Sequence, residues 1–275
     1  MGKKLVQPIL TWVGGKRQLL KEIEKRLPKI ISYYVEPFVG GGAVVFDMLP
    51  QYARINDYNK ELINVYRVVR DNPDALIEEL KNHEKKNDES GSEWFYFVRG
   101  IDRTPEFKNL SDVKRAARMI YLNKTCYSGK FKVNSAGQFN NSYARYKHPN
   151  IVNEVGIRAL HGYFCNANIE MCEGDFADCL IDLPKGAFVY LDPPYMHAYT
   201  GYTQCGFGYD EQVRLRDECV KLREQGIHFL QSNSDCEEIR ELYKSFKIET
   251  VYAKHSLGPV VSDRRGTVKE VLISG

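Results

Sequence analysis

The sequence predicts an α/β fold, an open and mostly parallel sheet interrupted by one insertion. Three observations predict it. Short apolar runs alternate with helix-like runs from Tyr34 to Val69, and the alternation resumes from Asn168 onward. A run of three glycines, Gly40 to Gly42, follows the first apolar run, as in a strand–turn–helix unit. Between residues 73 and 150 the pattern changes to charged helices and then to a polar, aromatic stretch. With 275 residues, 43% of them hydrophobic, the chain is long enough for one large core carrying such an insertion.

The elements follow in order. Trp12-Val-Gly-Gly-Lys16 is a turn leading into a helical run, Gln18 to Leu27, stopped by Pro28. Tyr34 to Phe38 is the first strand and Ala43 to Leu49 the helix after it, ended by Pro50. Ala53 to Asn56 is the second strand, with Asp57 at its end. Lys60 to Val69 is a helix ended near Asn72-Pro73. Residues 73 to about 122 read as helical, and Tyr127 to Pro149 as a hairpin or long loop. Asn168–Cys172, Ala187–Leu191 and Ile227–Gln231 are the next strands, and Lys247–Tyr252 with Val268–Ile273 close the sheet as a pair. This divides the chain into residues 1–72 and 151–275, one domain, and an insert, 73–150.

The strongest chemical signal is Phe188-Val-Tyr-Leu-Asp-Pro-Pro-Tyr195, an apolar strand running straight into Asp192-Pro193-Pro194-Tyr195. Ligands of open α/β sheets sit beyond the carboxyl ends of strands. An aromatic amine is a poor nucleophile because its lone pair is delocalised into the ring. The Asp192 carboxylate and the Pro193 carbonyl can accept both amine protons, the prolines stiffen the backbone, and Tyr195 offers a face for stacking. The bland alternative is a Pro-Pro turn with a capping Asp.

Glycines at a strand-to-helix turn let backbone approach a ligand, so Gly40 to Gly42 mark a nucleoside pocket, with Asp57 placed for ribose hydroxyls; the bland alternative is a tight turn with a helix-capping Asp. This pattern suits a dinucleotide equally. Trp12 and Lys16 fit either beside that pocket, with Lys16 as the partner of a carboxylate, or on the surface of a Gly-Gly turn. Asp175 and Phe176 follow the strand ending near Cys172 and suit either an adenine ring, one accepting from its amine and the other stacking, or a plain strand-end turn.

A formal net charge of +3 does not announce a polyanion partner, but its distribution does. Ser111 to Asn150 holds eight Lys/Arg against one acid, Asp112, interleaved with Tyr, Phe, Asn and Gln. Cations for phosphates, amides for base edges and aromatics for wedging suit nucleic acid; the alternative is a solvated basic face. Seven scattered cysteines without a C-x-x-C pair suit neither a disulfide framework nor a metal knuckle, and free thiols fit a reducing cytosol. No secretory leader and no membrane span is expected.

At these residues the sequence resembles the Dam family of DNA adenine-N6 methyltransferases. Trp12-Val-Gly-Gly-Lys-Arg, Glu36-Pro-Phe-Val-Gly-Gly-Gly, Gly174-Asp-Phe and Tyr190-Leu-Asp-Pro-Pro-Tyr occur in that family's order, and Phe139–Pro149, Tyr202–Phe207 and Ser232-Asn-Ser are also similar. The resemblance implies a Rossmann-like methyltransferase fold, a mixed seven-stranded sheet with a helical and β-hairpin DNA-recognition insert. It implies S-adenosyl-L-methionine as cofactor, with S-adenosyl-L-homocysteine as product, held by Trp12, Lys16, Phe38, Gly40, Gly42, Asp57, Asp175, Phe176 and Asp192. It implies that Asp192, Pro193, Pro194 and Tyr195 hold an extruded adenine, with no metal.

The implied substrate is a short double-stranded DNA site, GATC-like or another short palindrome. Arg118, Lys124, Tyr127, Ser128, Lys130, Lys132, Asn134, Asn140, Ser142, Arg145 and Tyr146 are the expected DNA contacts. Ser128, Lys130, Lys132 and Ser142 depart from the family's usual residues, which leaves the target sequence open. A monomer or weak dimer in the cytoplasm, at the nucleoid, is expected, with a cognate restriction endonuclease acting separately. Three other readings stay open at this point. They are methylation of a different NH2 group (cytosine N4, RNA adenine or a glutamine amide), a catalytically silent DNA-binding protein, and a nicotinamide-dependent oxidoreductase.

Overall fold

The computed structural model describes residues 5–196, 207–254 and 267–275. Seven strands form one sheet: β1 (Tyr33–Glu36), β2 (Tyr52–Asp57), β3 (Asn168–Glu173), β4 (Ala187–Leu191), β5 (His228–Ser234), β6 (Lys247–Lys254) and β7 (Thr267–Ser274). Their order is β3-β2-β1-β4-β5-β7-β6. β1 to β5 are mutually parallel, and β7 runs antiparallel to both β5 and β6. The sheet is therefore mixed and seven-stranded, as expected.

β1 and β4 are buried almost end to end, the pattern of parallel strands covered on both faces. Successive residues divide between two layers. Tyr34, Phe188, Tyr190, Leu230 and Leu272 join one core; Val35, Val189, Leu191, Phe229, Val271 and Ile273 join the other. The period of two in strand side chains does this sorting. The second layer is closed by α8 (Tyr209–Glu224) and α9 (Glu237–Leu242) through Leu215, Cys219, Leu222 and Ile239.

The first layer holds α1 (Leu20–Glu24), α2 (Val45–Met48), α3 (Lys60–Asp71), α4 (Pro73–Ser90), α5 (Ser92–Gly100), α6 (Asp112–Thr125) and α7 (Glu154–Asn166). α3 starts where the Asn59 side chain accepts from the backbone N–H groups of Glu61 and Leu62. Pro73 stops α3 and opens α4, because a first-turn residue needs no N–H partner. Two predicted helices are shorter than expected. Gln18–Leu27 reduces to α1 after a 3₁₀ turn at Lys16–Gln18, and Ala43–Leu49 reduces to α2, ended by Leu49 in the left-handed region at φ 50°.

The helical part of the 73–150 segment has no core of its own. Leu76, Leu80, Phe95, Ala116 and Tyr121 belong to the same cluster as Leu62 and Val65 of α3. Residues 127–149 form a loop stitched by two antiparallel bridges, Cys126 to Tyr143 and Val133 to Phe139, rather than a regular hairpin. No helix among the described residues is long and apolar enough to cross a membrane.

β1 leads outward to β2 and β3, and the chain then returns to lay β4 on the other side of β1. That reversal makes a crevice beyond the carboxyl ends of β1 and β4.

Candidate active site

A cavity of about 450 Å³ occupies this crevice. Of the residues the sequence singled out, Trp12, Lys16, Phe38, Gly40, Asp57, Asp175, Phe176, Asp192, Pro193, Pro194 and Tyr195 line it. They come from four strand ends and the turn before the first helix, so the sheet order alone assembles them. Such a volume is ordinary for a small-ligand pocket.

The Asp-Pro-Pro-Tyr tip is held from several sides. Lys16 Nζ lies 2.9 Å from Asp192 Oδ1, and Ser232 Oγ donates to the same oxygen at 2.9 Å. Burial pushes the Asp192 carboxyl above its usual range, while Lys16 and then Ser232 pull it back. Lys16 is itself buried; its ammonium also donates to the Gly14 carbonyl at 2.7 Å and sits 4.5 Å from the centre of the Tyr195 ring. The Pro194 carbonyl accepts from Gln212 Nε2 at 2.9 Å, and Gln212 accepts in turn from Asn233. The Tyr195 hydroxyl donates to the Glu270 carboxylate.

The opposite wall is acidic. Asp57 accepts from the Gly40 N–H and the Asn59 N–H, both at 2.9 Å, and burial still pushes it up to about 6. Glu36, fully buried at the end of β1, is pushed up to about 8 by burial, against the pull of the Tyr34 hydroxyl that donates to it at 2.7 Å. At the far end Phe38, Phe176 and Phe207 form an aromatic cluster, with Phe38 and Phe176 stacked at 5.3 Å. Arg214 covers Phe176 at 4.7 Å while pairing with Asp175 and Glu211.

Gly40 has φ 47°, and a Cβ there would meet the Trp12 indole at 2.8 Å. Gly42, expected at the cofactor, does not line the cavity. At φ 73° it faces Phe46, whose ring a Cβ would meet at 2.2 Å, so its smallness serves the core.

The basic insert needs further correction. Arg118, expected at DNA, is only 8% exposed. Its guanidinium pairs with Asp102 at 2.9 Å and donates to the carbonyls of Val98 and Arg99. Asn134 is engaged within its own turn, accepting from Ala136 and Gln138 and donating to the Gln138 side chain. Asn123, read as an amide for base edges, is buried; it donates to Thr11 and Gly129 carbonyls and accepts from Thr11 N–H. Trp12 stacks on Phe131 at 5.4 Å, a second tie between loop and cavity.

Tyr127, Asn140, Ser142, Arg145 and Tyr146 are exposed; Lys124, Ser128, Lys130 and Lys132 are half-buried. Of the Tyr202–Phe207 segment only Phe207 lies within the described residues.

Residues 12–257 match the family model for D12 class N6 adenine-specific DNA methyltransferases. The chain belongs to that family. It is an adenine-specific DNA methyltransferase. It is 41% identical over 274 residues to a type II methyltransferase of Lactococcus lactis subsp. cremoris, covering 98% of this chain and 95% of the relative. A type II methyltransferase of Methanocaldococcus jannaschii is 37% identical, with 98% of each chain covered. A DNA adenine methylase of Haemophilus influenzae is 30% identical, covering 97% and 92%.

In this methyltransferase the residues that sequence reasoning missed are Arg214, Gln212 and Glu270. Glu36, Phe207, Ser232 and Asn233 were noticed only within family-like segments, without a role. Most sit on helices or strands far along the chain, where periodicity shows burial but not neighbours. Glu270 carried one signal, an acid inside the apolar run Val268 to Ile273.

Proposed function

We propose that the methyltransferase transfers a methyl group from S-adenosyl-L-methionine to adenine N6 in a short duplex DNA site, leaving S-adenosyl-L-homocysteine. The carrying observation is that Asp192 and Tyr195, at the tip of β4, open onto the same cavity as Gly40 and Asp57 at the tips of β1 and β2. The donor set suits that cofactor. It carries a sulfonium, an ammonium, ribose hydroxyls and an adenine amine, all of which want acceptors or negative charge. The wall supplies Glu36, Asp57 and Asp175, and Lys16 suits the cofactor's carboxylate. The bound cofactor supplies an electrophilic methyl on sulfur; the protein supplies alignment.

In this reading the target adenine leaves the duplex and stacks on Tyr195, at an unstacking cost of roughly a few kcal/mol. Asp192 and the Pro193 carbonyl accept from N6 and turn its lone pair toward the cavity. Since Lys16 and Ser232 both bond Oδ1, Oδ2 is the oxygen assigned to the amine. Phe38 and Phe176 are in direct contact, so an adenine stacking on Phe176 takes the place of Arg214. Lys124, Tyr127, Ser128, Lys130, Lys132, Asn140, Ser142, Arg145 and Tyr146 contact double-stranded DNA, and the recognised site is GATC-like or another short palindrome.

Asp192→Ala tests the reading. Transfer should fall by at least about 1,000-fold while DNA affinity changes less than about threefold. Methylation by that variant at a comparable rate sinks the assignment. Sequencing of modified bases in DNA exposed to the protein reports the atom and the site.

A further inference from the structure

The reaction as proposed needs Tyr195 at a fixed angle, yet nothing in Asp-Pro-Pro-Tyr fixes it. The prolines hold the backbone of 193 and 194, and Tyr195 itself keeps two rotatable side-chain torsions. The remaining restraint comes from the other end of the chain. Glu270 lies on β7, opposite Ser234 in the β5 pairing and Val251 in the β6 pairing. β7 is antiparallel, so its beginning, not its end, lies beside the carboxyl ends of β4 and β5. The reversed strand thereby brings a carboxylate to a level where parallel strands present their last residues.

Glu270 is half-buried, with exposed Lys269 before it and the fully buried run Val271 to Ile273 after it. A carboxylate at that place in a strand carries a desolvation cost that an apolar residue avoids. What it gains is the Tyr195 hydroxyl, 75 residues away in sequence, which donates to it. Lys16 meets the same ring at 4.5 Å. The ring is therefore held at its hydroxyl by one charge and at its face by another.

We infer that Glu270 is a positioning residue for methyl transfer: by accepting the Tyr195 hydroxyl it locks the ring on which the target adenine stacks. This rests on the proposed role of Tyr195. Loss of the acceptor frees rotation of the ring, and the base it supports drifts from the line of transfer. Glu270 does not line the cavity, so binding of base and cofactor should be kept.

The experiment is single-turnover methylation of a duplex by Glu270→Leu, Glu270→Gln, Tyr195→Phe and the double variant Tyr195→Phe/Glu270→Leu. Glu270→Leu and Tyr195→Phe should each slow the single-turnover rate about 10- to 100-fold, with reaction amplitude and cofactor affinity kept within about twofold. Glu270→Gln retains an acceptor and should recover to within about threefold of the parent. The double variant should be no slower than either single one, because both remove the same bond. A misfolded protein would instead lose amplitude. Parental rates in Glu270→Leu, or additive losses in the double variant, overturn the inference. If Glu270→Leu does not fold, Tyr195→Phe deletes only the hydroxyl and decides alone, a parental rate being the overturning result. Asp192→Ala, run in parallel, separates the two failures: inactive Asp192→Ala with parental Glu270→Leu removes this inference and leaves the proposed function standing.

Discussion

The tip of β4 and the loop 127–149 are both polar, aromatic and irregular, yet they are built on opposite terms. At the tip the partners are remote. Asp192 meets Lys16 and Ser232, and Tyr195 meets Glu270. In the loop most side-chain bonds are local. Asn134 closes on Gln138, Asn141 donates to the carbonyls of Tyr127 and Lys130, and the Tyr146 hydroxyl accepts from Ser128 N–H. Remote partners lock a side chain to one geometry, which alignment of reacting atoms demands. Local partners set the shape of a loop and leave its outer face for a ligand, as surface loops commonly do. The loop is joined to the rest by a few anchors: Asp102 accepting from Phe139 N–H, Asn123 bridging Thr11 and Gly129, and Phe131 on Trp12.

Four variants break or sharpen this contrast. The largest effect is expected at the loop's base. Arg118→Leu removes one of the two cations paired with Asp102, 9% exposed, leaving Arg103, and also removes the donors to the Val98 and Arg99 carbonyls; it should cost about 3 kcal/mol of stability, measured by urea unfolding. The salt dependence of DNA binding should stay parental; a drop of about one phosphate contact would return Arg118 to the DNA. Next, Lys16→Met removes the strongest pull holding Asp192 down. Its carboxyl then rises further, so the acid limb of the pH profile moves to higher pH, and kcat/KM at neutral pH should fall about 30-fold. An unmoved acid limb would detach Lys16 from Asp192.

Third, Lys130→Ala with Lys132→Ala should weaken DNA binding about tenfold at moderate salt and lower the salt slope by about two. The rate from preformed complex should be unchanged, and a slowed rate would show that the loop shares in alignment.

The smallest effect concerns Glu36. Its carboxyl, ordinarily near 4.5, is raised to about 8 in the fold. A raised carboxyl stabilises the folded state fully below pH 4.5, and that contribution disappears as pH climbs toward 8. Glu36→Gln removes this dependence. Its unfolding free energy should gain on the parent's between pH 5 and 8, by about 1 kcal/mol or more at the upper end, read as a higher melting temperature. Parallel curves would place Glu36 outside the titration. Asp57, raised to about 6, keeps its own slope in both proteins at lower pH.

Much of this molecule was legible before folding. Phe188–Leu191 announced a buried strand and Asp192–Tyr195 its tip because apolar runs and prolines restrict the backbone locally. The Gly40 turn, Asp57 and the closing strand pair were equally plain, since turn chemistry and strand period act over a few residues. Gly42 and Arg118 misled for one reason: a small or charged residue in a suggestive motif can serve packing, and burial cannot be read from residue type. Asn134 and Asn123 misled likewise, because an amide bonds a backbone as readily as a base edge.

Residue order alone specified the strands, the punctuating glycines and prolines, and the chemistry offered at one strand end. Assembly in space chose which groups would meet it. Lys16, Ser232, Gln212 and Glu270 converge on Asp192–Tyr195 because the sheet order puts β1 and β5 beside β4 and because β7 runs backward. The longest of these contacts, Lys16 to Asp192, spans nearly two thirds of the chain, and no local periodicity carries information over that separation.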